Sequence, residues 1–224
     1  MNIKSLLYTI RTVNLWKTIY FNFHYFPFRT AVKLPFYVCW RTVLCNMRGV
    51  IIIEAPIRRG MVMLGIHDLG IQDSFYSRTI WKNSGTLIVK GSANIGRGSK
   101  LCIGGTLILG DKFRISGDSE IICQRKITFG RNCLLSWNIL IMDGDLHHIY
   151  SADDKVINEP KSISIGSHVW IGCRSTILKG VSVADNCIIA AGSVITNSYN
   201  TESCIVGGVG DNSGILKSNI KWGV

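Results

Sequence analysis

The sequence predicts an all-β solenoid, a coil of three short parallel strands per turn, on the strength of two rhythms and one feature of composition. From residue 165 an aliphatic residue opens every sixth position: Ile165, Ile171, Ile177, Val183, Ile189 and Ile195. Upstream the rhythm returns at Val89, Ile95 and Leu101, at Leu109, Ile115 and Ile121, and at Phe129, Leu135 and Ile141. Those upstream triplets start 20 residues apart, so two extra residues recur at one corner. A period of six is neither the 3.6 of a helix nor the 2 of a strand. Three strands per turn produce it, with each aliphatic residue pointing at the axis and stacking on its equivalent one turn away. Gly is abundant at 23 residues and Pro scarce at 4, which suits many tight turns between short strands.

Along the chain, residues 1–50 are expected to form a basic, aromatic and partly helical capping segment. Residues 1–60 hold nine Lys and Arg against one acid, Glu54, and include the run "IYFNFHYFPF". A solenoid end exposes strand edges that must be covered, and this segment is expected to cover one. The same mixture of charge and aromatic rings suits an anionic surface, so peripheral membrane contact is an alternative use. The solenoid is expected over 51–200, with a less regular first turn near "MVMLG" (61–65). Residues 201–224, ending "GILKSNIKWGV", are expected to pack as a tail near the other end or along a face.

The chain has 224 residues and 47% hydrophobic content, enough for a sizeable core. Its apolar stretches are broken by Lys or Arg short of the ~20 residues of a membrane span, and no leader with a small-residue cleavage site is apparent. The eight Cys show no CxxC spacing. They read as reduced thiols of a cytoplasmic protein, attached at most peripherally to the inner face of a membrane.

The hexads break after Ile141 and resume at Ile165, so an inserted loop is expected at 143–163. It begins with "MDGDLHHIY" (142–150). If this stretch is extended, Asp143, Asp145 and His147 share one side. A carboxylate beside an imidazole fixes its tautomer and stabilises the cation formed when it accepts a proton, which is what a general base requires. His148 would then point the other way. The alternative is a solvated polar loop. A metal centre is not expected: the adjacent pair His147 and His148 cannot both face one ion from an extended strand, and His67 and His168 lack a suitable spacing.

The run "IGSHVWIGCRSTILKGVSVADNCIIAAGSVIT" (165–196) resembles the hexapeptide-repeat acyltransferase family, and "DGDLHHI" resembles the D-x-D-x-H-x-I segment of its sugar and polysaccharide O-acetyltransferases. The resemblance implies a left-handed parallel β-helix and a homotrimer with acetyl-CoA bound between subunits. It also implies a saccharide hydroxyl as acceptor and His147 as base, with no metal and no nucleic-acid partner. Donor contacts carried over are Trp170, Gly172, Cys173, Ala191, Gly192, Thr196 and Lys217. Cys173 and Ala191 are 18 residues apart and so stack on one face, small enough for a pantetheine arm to lie along the backbone. Trp170 is expected as a ligand or interface wall, or packed against the inserted loop. Ser116, where the family places an Asn, and Asn138 are the candidate acceptor contacts. Departures are Asn197, where a Lys is common, and "GDNSGILK" (210–217), where Asn212 and Ser213 replace a Pro-Ala turn. An N-acyltransferase acting on an amino-sugar nucleotide and a non-catalytic scaffold of the same fold are the rival readings.

Overall fold

The computed structural model of the chain describes residues 12–66, 70, 71, 73 and 76–223. His67 and residues 1–11 of the capping segment lie outside these. The described strands form a left-handed parallel β-helix with three faces. Face I runs through Phe36–Val38, Val62–Leu64, Ala93–Ile95, Phe113–Gly117, Leu134–Trp137, Trp170–Ile171, Ile188–Ile189 and Ile205–Gly207, closed by the antiparallel strand Gly214–Lys217. Face II includes Lys100–Ile103, Glu120–Cys123, Leu140–Met142, Thr176–Ile177 and Val194–Ile195. Face III includes Thr106–Leu109, Lys126–Phe129, Ile163–Ile165 and Ser182–Val183.

The register follows the hexads. Ile165 pairs with Val183, Ile171 with Ile189 and Ile177 with Ile195, 18 residues apart. Ile95, Ile115 and Leu135 stack at 20, as do Leu101, Ile121 and Ile141. Every one of these openers is buried in a single axial core. The two extra residues of the longer coils fall at the corner between faces II and III, for example Gln124 and Arg125. Three residues after an opener the chain turns in the left-handed region: Asp118, Asn138, Arg174 and Gly192 at the I/II corner, and Lys112, Asn132, His168 and Asn186 at the III/I corner. Asn and Gly recur there because these residue types tolerate positive φ best.

Helix α1 (Leu15–Tyr25) lies over the first turn. Asn14 caps it, its side chain accepting from the Lys17 amide at 2.8 Å. It ends at Phe26, extended at φ −127°, as the following Pro27 requires. Phe21 enters the core against Phe36 and Trp81. The exposed edge of Phe36–Val38 is satisfied by side chains of this helix. Asn22 bonds both the Phe36 N–H (3.1 Å) and its carbonyl (2.8 Å), and the Val38 N–H donates to Thr18 Oγ1 at 3.0 Å. Paired coil strands thus begin at Phe36, inside the 1–50 segment expected to act only as a cap. The edge is closed to further pairing.

At the other end, Gly210–Asn212 form a single 3₁₀ turn in place of a proline turn. Ser213 holds it, its N–H and Oγ both bonding the Gly210 carbonyl, while Tyr199 Oη donates to Ser213 Oγ at 2.7 Å.

Candidate active site

The inserted loop leaves face II after Met142 and rejoins face III at Ile163, so it occupies the II/III corner. It is not extended across 143–147. Leu146 turns through φ +65°, which breaks the alternation between Asp145 and His147, and the two carboxylates have different surroundings. Asp143 is fully buried. Its carboxylate accepts the backbone N–H groups of Gln124 (2.6 Å), Arg125 (3.0 Å) and Lys126 (2.7 Å), the two extra corner residues of the coil below and the one that follows them. Asp143 therefore secures a corner and does not face His147, a correction to the extended reading. The charge also disfavours a thiolate close by: burial first, then the Asp143 carboxylate, pushes the Cys123 thiol up to about 12.

Asp145 points outward and pairs with Lys179 from the corner one coil above. The Lys179 hydrogen bond, then one from Asn158, holds its carboxyl below the usual carboxylate range. Asn158 ties the loop together. Its Nδ2 donates to Asp145 Oδ2 (2.8 Å) and to the His147 carbonyl (2.7 Å), and its Oδ1 accepts from the Ile149 N–H (2.7 Å). Its own carbonyl accepts from Lys179 Nζ at 3.0 Å. His147 is exposed, and its ring has no hydrogen-bond partner among the described residues. The exposed His148 ring instead meets Tyr150, 6.1 Å away.

The donor positions sit one corner round. Cys173, Ala191 and Gly192 form the I/II corner of successive coils, joined by the Gly192 N–H donating to the Cys173 carbonyl at 2.9 Å. Ala191 and Gly192 are exposed, and a Cβ on Gly192 would meet only open space. Gly172 differs: it is buried, and a Cβ there would lie 2.6 Å from the Ala191 N atom, so its smallness serves coil stacking. Thr196 is exposed at the II/III corner, two coils above His147, and Lys217 is exposed on the last strand of face I. Trp170 donates from Nε1 to Ser136 Oγ (3.0 Å) and approaches Trp222 of the tail at 6.0 Å. It packs on face I and the tail, away from the inserted loop. Ser116 also faces out from face I, and Asn138 turns the I/II corner. One protomer therefore holds Ser116 and the donor residues other than Thr196 on face I and its I/II corner, and His147 and Thr196 across the width of face II.

Sequence reasoning missed Asn158 and Lys179. Lys179 was countable: it follows its opener Ile177 by two, as Asp143 follows Ile141, and so belongs to the same corner column. Asn158 sits in an insertion outside any repeat and carried no signal. Among the described residues, no group of three His, Cys, Asp or Glu side chains is placed to hold a metal.

The family model for bacterial transferase hexapeptide (six repeats) matches residues 162–197. The chain is 41% identical over 66 residues to the polysialic acid O-acetyltransferase of Neisseria meningitidis, which covers 29% of this chain and 31% of that one. It is 33% identical over 135 residues to the polysialic acid O-acetyltransferase of Escherichia coli O1:K1 / APEC, covering 60% and 41%. With the galactoside O-acetyltransferase of Escherichia coli K12 it shares 30% identity over 95 residues, covering 42% and 46%. The chain thus spans a third to a half of the length of these curated relatives. Among solved structures, the polySia-specific acetyltransferase NeuO aligns with a TM-score of 0.54 and 25% identity over 82% of each chain. The chain is a hexapeptide-repeat β-helix protein. Its resemblance is to the acetyltransferases of that fold, with sugar and polysaccharide O-acetyltransferases among its relatives.

Proposed function

We propose that the protein is an acetyl-CoA-dependent O-acetyltransferase acting on a saccharide hydroxyl, with His147 as general base. The observation that carries this is the exposed, unpartnered His147 ring on a loop whose main chain is clamped by Asn158 and the Asp145–Lys179 pair. A base whose backbone is fixed and whose ring is free is poised for a substrate proton. The donor positions Cys173, Ala191 and Gly192 lie at the neighbouring corner, so a homotrimer that sets the I/II corner of one protomer against the II/III corner of the next completes the site. The exposed Ala191 and Gly192 leave room for a pantetheine arm, Thr196 supplies a hydroxyl, and Lys217 offers charge to a phosphate. Ser116 and Asn138 are proposed on the acceptor side.

In the reaction, His147 removes the proton from the acceptor hydroxyl as its oxygen attacks the thioester carbonyl. Backbone N–H groups stabilise the tetrahedral oxyanion. Collapse breaks the C–S bond, and the imidazolium returns its proton to the thiolate. Asp145 acts at one remove, as a positioning residue. No helix among the described residues is long and apolar enough to cross a membrane. Peripheral attachment to an anionic inner leaflet is proposed through the outward face of α1, where Trp16, Tyr20 and Phe23 are exposed, with the exposed Arg29 and Lys33 a few residues on.

The test is release of free CoA thiol from acetyl-CoA in the presence of saccharides, nucleotide sugars and glycan fragments, with oligomeric state measured by light scattering. Turnover on neutral or acidic saccharides by a trimer is expected. Turnover confined to amino-sugar nucleotides would shift the reading to N-acetylation, and a monomer would sink the shared site.

A further inference from the structure

Face I carries a feature the chemistry above does not use. A cavity of about 760 Å³ opens on its lower coils. Its floor is an outward column, Met63, Asn94 and Arg114, in direct register across three coils. With strands ~4.8 Å apart this column spans roughly 10 Å. Along the III/I corner it is bordered by the Arg58–Arg59 segment, which links Val50–Ile53 of face III to Val62–Leu64 of face I in the lowest coil, and by Lys112, Asn132 and His168 of the coils above. The tail closes over it: Trp222 stacks on His168 with ring centroids 4.0 Å apart and planes within 4°, and its Nε1 donates to the His168 carbonyl at 3.0 Å.

Four cations line this cavity, Arg58, Arg59, Lys112 and Arg114, and no acid does. All four are exposed, and among the described residues none has an ion-pair partner. Asp111, next in sequence to Lys112, is already engaged by the Ser92 N–H (2.7 Å) and hydroxyl (3.1 Å). A concave surface lined by one sign of charge concentrates the opposite sign. The side-chain oxygen of Asn94, on the cavity floor, is buried without a hydrogen-bond partner among the described residues. A buried acceptor needs a donor, which a sugar hydroxyl supplies and a fully ionised phosphate does not. Guanidinium groups match carboxylates in bidentate geometry, and the aromatic pair offers a flat apolar wall for a ring.

We propose that this cavity is an acceptor subsite that grips a carboxylate-bearing saccharide chain, with Arg58, Arg59, Lys112 and Arg114 reading the carboxylates and Asn94 a hydroxyl. It lies on face I, the face that also presents Ser116, so a chain held there extends along that face toward the donor corner. The proposal rests on the saccharide reading of the function and narrows it to acidic glycans.

The test is calorimetric titration of the full-length protein with oligosialic acid and oligogalacturonic acid, with maltooligosaccharide as a neutral probe and CoA as a phosphate probe. Four proteins are compared: wild type, His147→Ala, the double variant Arg58→Ser/Arg114→Ser, and Lys33→Ser/Arg48→Ser, which removes equal charge from the exposed N-terminal part of the chain. Wild type, His147→Ala and the Lys33/Arg48 variant are expected to bind an acidic oligosaccharide alike, with affinity falling as salt rises. The Arg58/Arg114 variant should bind it tenfold more weakly or worse, with CoA affinity kept. Equal binding by both charge variants, equal binding of the neutral probe, no binding of either acidic probe, or loss of CoA in place of glycan by the Arg58/Arg114 variant would each overturn the proposal. Acidic-glycan binding without any acetyl-CoA turnover would instead sink the proposed reaction and leave the subsite standing.

Discussion

Asp145 and His147 communicate through one amide: Asn158 Nδ2 donates to the carboxylate of the first at 2.8 Å and to the carbonyl of the second at 2.7 Å. The carboxylate does not touch the imidazole. What it fixes is the backbone from which the ring projects, and Lys179 anchors the same carboxylate to the coil above.

Asn158→Ala should therefore lower kcat far more than it lowers stability. It removes three loop hydrogen bonds, and displacement of a catalytic group by about 1 Å costs on the order of 10²-fold. The readouts are turnover and amide hydrogen exchange, with faster exchange expected at Ile149, whose N–H is held by Asn158 Oδ1. Unchanged turnover with faster exchange would show that loop order does not position the base.

Asp143→Asn should behave in the opposite way. The buried carboxylate accepts three backbone N–H groups, and an amide cannot accept with both arms. Leaving a buried donor unsatisfied costs about 1–3 kcal/mol, or a few degrees of Tm per kcal/mol for a domain of this size. Thermal melting should show the loss, with turnover per folded molecule close to wild type. A normal Tm with impaired turnover would return Asp143 to the role the extended segment had suggested for it.

The contrast between these two acids shows where sequence reading holds and where it stops. Openers such as Ile121, Ile141 and Ile177 are legible because a solenoid repeats its axial contacts and selects for shape at a fixed interval. The alternation of Asp143, Asp145 and His147 looked equally regular, but alternation implies a shared side only in an extended chain, and Leu146 takes a left-handed turn. The start of the coil at Phe36 was hidden because its edge is satisfied by the Asn22 and Thr18 side chains, with no repeated hexad. The basic cavity was hidden because Arg58 and Arg114 are 56 positions apart and become neighbours only through coil register.

Lys179→Met should raise the titration of Asp145. Lys179 is the main cause of the depressed carboxyl, ahead of Asn158. A carboxyl lowered on folding stabilises the native state above its unfolded value, near 3.9, and that contribution is lost as pH falls through the lower native value. The loop clamp is thus intact at neutral pH and weakens only in acid. Carboxyl-detected NMR titration should find Asp145 closer to the ordinary range in the variant. An unmoved value would remove Lys179 from the account.

Gly172→Ala and Gly192→Ala separate packing from conformation. At Gly172 the new methyl lies 2.6 Å from the Ala191 N atom, so adjacent coils must part. Overpacking of this kind costs about 1–3 kcal/mol. At Gly192 space is open, and only the left-handed φ of +73° is penalised, by about 1–2 kcal/mol. If Gly192 lines the donor cleft, its substitution should also weaken CoA binding, measured by titration, while Gly172→Ala acts on Tm alone. Unchanged CoA affinity in Gly192→Ala would place Gly192 outside the cleft.

His147→Ala should abolish most turnover, and His148→Ala should be mild. The earlier ground for that contrast, a shared side with two carboxylates, is gone, since Asp143 is buried beneath the loop and Asp145 is occupied by Lys179. Two other observations replace it. The main chain of His147 is gripped by Asn158 while its ring is unpartnered, so the ring is positioned and available. The His148 ring is engaged with Tyr150, and among the described residues no bond to its carbonyl anchors it to the loop core. The expected loss for His147→Ala is roughly 10²–10⁴-fold in kcat, the range for removing a general base, with Tm and CoA affinity close to wild type because the exposed ring has no hydrogen-bond partner among the described residues. If His148→Ala were the inactive variant, the Asn158 clamp would be holding the wrong residue for catalysis. The base would then have to be sought on the Tyr150 side of the loop.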